Sequence, residues 1–156
     1  MPSSYNRGVP SDLAIVFDHI LGGFDIPDPA SCLKVSAAAA NASVEPLPTT
    51  IAENLAHAVM WQTFWLGALH GGRSKSGMTE WKQDWRRPEP HEWPELRARF
   101  VEGLREARRI AASDPMDHQM ASDHEAVGIL TRIAVHGAYH LGQINQIKRA
   151  ARRAKA

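Results

Sequence analysis

Cysteine, long apolar runs and net charge are all scarce in this sequence, and each scarcity excludes a class of protein. Cys32 is the single cysteine among 156 residues, which rules out a disulfide framework within the chain and a cysteine-based zinc site. No apolar run approaches the length of about 18 residues that a membrane span needs. Residues 1–10 are polar and lack the basic start and apolar core of a signal peptide, so we expect a flexible N-terminus on a cytoplasmic protein.

The charge balance gives little reason to expect a polyanionic partner. Lysine and arginine total 18 against 17 aspartate and glutamate, for a net charge of +1, so no overall field draws the chain to nucleic acid or to an anionic membrane. Positive charge gathers at the C-terminal end, where it also complements a helix dipole: Lys148, Arg149, Arg152, Arg153 and Lys155. Nucleic-acid binding is therefore the weakest of the alternatives, and we expect no membrane partner.

Apolar residues recur every three to four positions and strand-like alternation is absent, which predicts an all-α fold. Four helices are expected, each with a start signal: Ser11 for the first, Thr49 or Thr50 with Glu53 for the second, Pro94 for the third, and Ser122 with Glu125 for the fourth. The apolar stripe of the first helix is formed by Leu13, Val16, Phe17 and Ile20. The four helices are expected to end, in chain order, at Gly22-Gly23, at Gly71-Gly72, at Asp114-Pro115 and at about Arg153.

The connections between these helices are long. A proline-rich segment, residues 24–48, is expected to contain a short helix from Ala30 to Ala40, and a polar loop occupies residues 72–92. Four helices with long crossover connections pack most simply as a four-helix bundle. We expect one domain over residues 11–153, with residues 154–156 as the end of a basic tail.

Two histidines on the fourth helix are candidate metal ligands. His136 and His140 lie four residues apart, so they share one helical face. They interrupt an apolar stripe formed by Ile129, Ile133, Ile144 and Ile147. Burying two imidazoles costs free energy unless both find partners, and one metal ion would satisfy both. The alternative is that each forms a hydrogen bond within the core, and the spacing alone does not decide between them.

A third ligand is best sought on the second helix, where His57 lies in an apolar setting. The remaining histidines fall in loops or near helix ends: His19, His70, His91, His118 and His124. Three imidazoles leave one coordination position open, as in catalytic sites, and accept most late first-row ions. Gly137 stands where a zinc-protease helix needs glutamate after its first histidine, and the paired Glu-x-x-His of di-iron bundles is absent from the sequence.

Residues 136–144, HGAYHLGQI, resemble the last-helix signature of the DinB/YfiT-like superfamily of metal-binding four-helix bundles. Residues 54–62, NLAHAVMWQ, resemble the stretch in which that family places its first histidine. A loop with Asp84-Trp85 and Pro88, followed by Trp93, is similar to the family's third segment. The resemblance covers roughly residues 11–150, and it departs from the usual layout in the short first helix and the proline-rich connection.

The resemblance implies a site for one divalent ion, nickel or zinc, at His57, His136 and His140, and a homodimer. Relatives include thiol-dependent transferases and isomerases that use low-molecular-weight thiols, and metal-dependent hydrolases. It thus implies a metal-dependent S-transferase or hydrolase acting on a small molecule. The alternative is a non-catalytic metal-binding protein that serves in a stress response or binds a ligand, with the ion bracing the bundle.

Four further residues are candidates for supporting roles. Gln143 lies on the face of the two histidines and could orient a water or a ligand, although a solvated side chain is an equal alternative. Tyr139 could donate a proton. Trp61 and Trp65 follow His57 at helical spacing and could form a pocket wall, with ordinary core packing as the alternative.

Overall fold

The computed structural model describes residues 12–72 and 82–154. Seven helical elements occur in this part of the chain: α1 (Asp12–Gly22), α2 (Pro29–Cys32), α3 (Ala37–Asn41), α4 (Ile51–Leu69), a 3₁₀ turn (Pro90–Glu92), α5 (Trp93–Ala112) and α6 (Asp123–Arg153). The described residues form no strand, so the predicted all-α fold is confirmed. The predicted Ser11 cap, the flexible residues 1–10 and Lys155 lie outside the described residues.

Local sequence signals fix where the long helices begin. Thr50 forms a complete capping box with Glu53, since its hydroxyl accepts from the Glu53 amide while the Glu53 carboxylate accepts from the Thr50 amide. Ser122 caps α6 by accepting from the Glu125 amide at 3.2 Å. Pro94 lies in the first turn of α5. These predicted boundaries are confirmed.

The proline-rich connection differs from the expected single helix over residues 30–40. It contains two short helices, because Asp28 caps α2 and Ser36 starts α3 anew by accepting from the Ala39 amide at 3.1 Å. Trp93 anchors the intervening turn by donating its indole N–H to the Val35 carbonyl at 3.0 Å. The connection therefore packs against the start of α5 instead of forming one continuous helix.

The four longest helices, α1, α4, α5 and α6, share one core, consistent with the predicted four-helix bundle. α4 packs against both α5 and α6, and α1 packs mainly against α5. The largest fully buried apolar side chains come from all four helices and include Phe17, Leu55, Leu69, Phe100, Leu104, Leu130, Ile133, Leu141 and Ile144. Val16, expected on the apolar stripe of α1, is instead 43% exposed. Within the described ranges, no helix has the length and apolar character to cross a membrane.

Helices α4 and α5 approach closely at Gly103. A Cβ at this position would lie 2.0 Å from the Gln62 side-chain oxygen, so only glycine fits without a shift. The buried Gln62 amide donates to the Phe100 carbonyl at 3.2 Å, which holds it in this narrow space. The Gln62 side chain therefore fills the space between α4 and α5 at this point.

Candidate metal centre

Three imidazoles converge between α4 and α6. The Nε2 atom of His136 lies 3.0 Å from Nε2 of His57 and 3.2 Å from Nε2 of His140. One ligand atom from each residue can be chosen so that all three lie within 4.8 Å of one another. Nitrogen atoms that share a tetrahedral ion at about 2.0–2.1 Å are roughly 3.3 Å apart, so two of the three separations are already close to that value. The cluster could hold a metal ion.

The Nδ1 atoms of two of these rings point to acceptors on the opposite side. The His57 Nδ1 atom contacts the Asp84 carboxylate. The His140 Nδ1 atom lies 3.1 Å from the Asn54 side-chain oxygen. Asn54 must present its oxygen there, because its amide nitrogen donates to the Thr49 hydroxyl at 2.7 Å and to the Thr50 carbonyl at 3.0 Å. Both contacts place the ring proton on Nδ1 and leave Nε2 with a free lone pair.

Burial keeps the α6 histidines neutral. His140 is 2% exposed and His136 is half-buried. Burial, followed by the neighbouring His57 ring, lowers the pKa of His136 to about 4. Burial also lowers the pKa of His140 to about 3, with His136 as the next contributor. Neutral imidazoles at pH 7 are the protonation state that a metal ion requires.

A loop covers His57 from outside the bundle. The indole of Trp85 stacks on the His57 ring, with centroids 4.0 Å apart and planes inclined by 18°. Trp85 has a φ of 60°, a left-handed conformation that a non-glycine residue adopts only at a cost. Arg86 holds the loop with a two-pronged ion pair to Glu92, at 2.6 and 3.0 Å. The loop therefore places Asp84 and Trp85 together against one candidate ligand.

A cavity of about 660 Å³ opens beside the cluster. Trp61 and Trp65 form part of its wall, and Trp65 is also a core residue at 7% exposure, so the pocket and core roles considered for these aromatics both occur. The Trp61 indole N–H donates to Asp84 at 3.4 Å, and the Trp65 ring meets the His136 ring edge-on at 5.1 Å. A small molecule in this cavity would therefore contact both the histidine cluster and an aromatic wall.

Tyr139 and Gln143, the candidates for catalytic roles, lie next to each other on α6. The Tyr139 ring lines the cavity and lies 5.1 Å from the His140 ring. The Gln143 amide donates to the Tyr139 hydroxyl at 2.7 Å. Their predicted roles in proton donation and orientation stay predictions.

Three of the other histidines have partners away from the cluster. His70 pairs with Glu106 at 3.1 Å, His118 pairs with Asp123 at 2.8 Å, and the His19 ring is tilted by 36° against the Phe24 ring, with centroids 4.8 Å apart. Asp84 and Asn54, by contrast, are site residues to which the sequence reasoning gave no role. Asn54 left a signal, since it is a buried polar residue three positions before His57 on an apolar helix. For Asp84 the sequence carries no comparable signal, apart from its place in the loop that resembles the third segment of the DinB/YfiT-like family.

The fold and the site together define an all-α protein with a candidate tri-histidine metal centre between two helices. Residues 30–144 match the family model of the DinB superfamily, and the chain belongs to that superfamily. Comparison with curated proteins gives no match, and comparison with solved structures gives none either.

Proposed function

We propose that the chain binds one divalent transition metal ion, nickel or zinc, through Nε2 of His57, His136 and His140. The observation that carries this proposal is the pairing of converging Nε2 atoms with Nδ1 atoms turned to fixed acceptors. Such outer partners orient ligand histidines and are a recurrent part of metal sites.

We further propose that the site is catalytic and acts on a small molecule by S-transfer from a low-molecular-weight thiol or by hydrolysis. A bound ion would supply Lewis acidity, which would lower the pKa of a bound thiol or water toward neutral pH. Three neutral protein ligands leave a position for such a molecule, and the cavity beside His136 gives it access. The thiol rests on the family resemblance alone.

The chain's own residues have distinct proposed tasks. Asp84 and Asn54 hold the His57 and His140 rings in orientation. Trp61 and Trp65 keep one wall of the cavity apolar and exclude water from it. Tyr139 lies at the cavity with its hydroxyl held by Gln143, a position from which it can pass a proton to a departing group.

One observation favours a second candidate function, a non-catalytic metal-binding protein that serves in a stress response or binds a ligand. The Asp84 carboxylate touches His57 and lies near enough to His136 to offset part of the lowering of that ring's pKa by burial. If the carboxylate turned toward the ion, it would supply a fourth protein ligand and close the coordination sphere. A closed sphere is typical of structural sites.

Metal analysis of the purified protein tests the first proposal. We expect close to one equivalent of nickel or zinc per chain, and its loss in His136→Ala. The matched control is His124→Ala, which removes an exposed histidine from the same helix. Equal metal content in both variants would contradict the site.

Cobalt substitution separates the two candidate functions. Visible spectra that change on addition of a small thiol or of azide would show an exchangeable position and support the enzyme. A tetrahedral spectrum that no added ligand perturbs would support the structural role instead. Absence of transferase and hydrolase turnover over a broad substrate panel, together with an inert spectrum, would end the catalytic proposal.

A further inference from the structure

Arg132 lies on α6 one helical turn before His136, about 6 Å along the axis. Its guanidinium carbon is 5.2 Å from the centroid of the Trp65 ring. The same indole meets the His136 ring edge-on. One aromatic side chain thus contacts both the cation and a candidate ligand. Arg132 is an exposed residue, and the cation–π contact holds its guanidinium against the indole that lines the cavity.

Within the described residues, Arg132 has no carboxylate at ion-pair distance, unlike several arginines of the same bundle. Arg108, for example, holds Asp18 at 2.5 Å, and Arg109 holds Glu106 at 2.8 Å. The carboxylate that lines the same cavity, Asp84, is engaged by His57 and Trp61. The guanidinium at the cavity wall therefore keeps its hydrogen-bonding capacity available for a ligand.

The cavity offers one cationic side chain to a ligand. Arg132 is the one lysine or arginine among its described lining residues, and the Asp84 carboxylate, with a side chain 12% exposed, lies in the same wall. A planar guanidinium matches a carboxylate with two parallel hydrogen bonds. The other lining side chains include the apolar or aromatic Trp61, Trp65, Val135 and Tyr139, which suit a hydrophobic body.

We propose that Arg132 is a specificity-determining residue that binds the carboxylate of a small monoanionic acid whose apolar body lies along the tryptophan wall, with its reacting end toward the histidine cluster. This inference rests on the proposed metal site, because it places the reacting end there. It narrows the substrate class to carboxylic acids with an apolar or aromatic body.

Binding of matched probes to the full-length protein tests the inference. The probes are 3-phenylpropionate, its neutral analogue 3-phenylpropanamide, and phenyl phosphate. Calorimetry measures each affinity for the cobalt-loaded and the metal-free protein, and the cobalt spectrum reports whether a probe reaches the metal. The variants are Arg132→Met, which keeps length without charge, Arg132→Lys, and the control Arg99→Met. The control removes a cation from a second cavity, on the Met60 and Phe64 side of α4, which shares His57 with the first cavity but does not include Arg132.

We expect wild type and Arg99→Met to bind 3-phenylpropionate about 10- to 100-fold more tightly than the amide, the range for a charge-assisted pair. Arg132→Met should abolish this preference while cobalt affinity stays within a few-fold, and Arg132→Lys should restore part of it. Equal binding of acid and amide by wild type, a preference that survives in Arg132→Met, or absence of binding by either probe would overturn the proposal. Arg132-dependent preference for phenyl phosphate would overturn the carboxylate class.

The two proposals fail separately in this experiment. If cobalt binds the three histidines but no carboxylate preference appears, only the Arg132 inference is lost. If cobalt does not bind while the metal-free protein still shows the Arg132-dependent preference, the proposed metal function is lost and the anion site stands.

Discussion

Replacing Asp84 by asparagine tests whether the carboxylate behind His57 orients that ring for metal binding. The two carboxylate oxygens serve three donors: Oδ1 contacts His57 and accepts from the Trp85 amide at 3.0 Å, and Oδ2 accepts from the Trp61 indole at 3.4 Å. Asparagine has the same shape but one acceptor oxygen. Whichever way its amide turns, an NH₂ group faces either the His57 ring or the Trp61 indole, donor against donor.

The expected loss follows from the role of such outer partners. Removing one typically costs 10- to 100-fold in metal affinity, which corresponds to about 1.4–2.7 kcal/mol. The affinity for zinc and nickel is measured by competition with a chromophoric chelator at one fixed pH. Asp25→Asn, at an exposed position, is the control and should bind as wild type does. Thermal unfolding in excess chelator separates a weakened site from a weakened fold.

Two outcomes would refute this reasoning in different ways. Metal affinity of Asp84→Asn within about twofold of wild type would show that the His57 ring is oriented without the carboxylate. A loss far above 100-fold, with a change in the cobalt spectrum, would show that Asp84 binds the ion directly. The second result would favour the closed coordination sphere and the non-catalytic candidate function.

Three further predictions concern stability and assembly. Gly103→Ala should lower the free energy of unfolding, measured in urea, by about 1–3 kcal/mol, because its Cβ collides with the Gln62 side chain. The control Gly128→Ala has open space around it and should leave that free energy unchanged or raise it. Equal effects of the two substitutions would contradict the close approach at Gly103. The hydrogen bond from Arg86 lowers the pKa of Glu92 to about 2, so the contribution of this pair, about 1 kcal/mol or less, should persist above the unfolded-state value of 4.5 and disappear as the pH falls toward 2. A stability difference between Glu92→Gln and wild type that does not shrink between pH 5 and 2 would be the contrary result. Light scattering at micromolar concentration should give a homodimer, as the family resemblance implies, and a monomer mass would remove that expectation.

The helix boundaries could be predicted because their signals are local. Thr50 and Ser122 each cap a helix through an amide three residues ahead, and that spacing is visible in the sequence. The prediction of one helix over residues 30–40 is wrong for a related reason. Its alanine run favours helix, but Ser36 satisfies the Ala39 amide as a new cap and so breaks the segment in two. Capping by Ser36 therefore outweighs the helix propensity of the alanine run.

Only those parts of the candidate site that have local sequence signals could likewise be predicted. His57, His136 and His140 could be selected because helical spacing and apolar neighbours are properties of the sequence itself. Asp84 reaches His57 across 27 residues, from a loop in which the next residue, Trp85, is left-handed, and no spacing rule encodes that contact.

The role of Asn54 as a partner of a candidate ligand also has a signal in the sequence. Its amide donates to Thr49 and Thr50 at the start of α4, so the turn that begins the helix also fixes the oxygen that receives the His140 proton. A polar residue buried on an apolar helix must have its hydrogen bonds satisfied. Beside a candidate ligand, that requirement points to a partner across the helix interface. The start of α4 and the ring orientation of His140, a candidate ligand on α6, are therefore linked by hydrogen bonds, and a substitution at either end should alter the other.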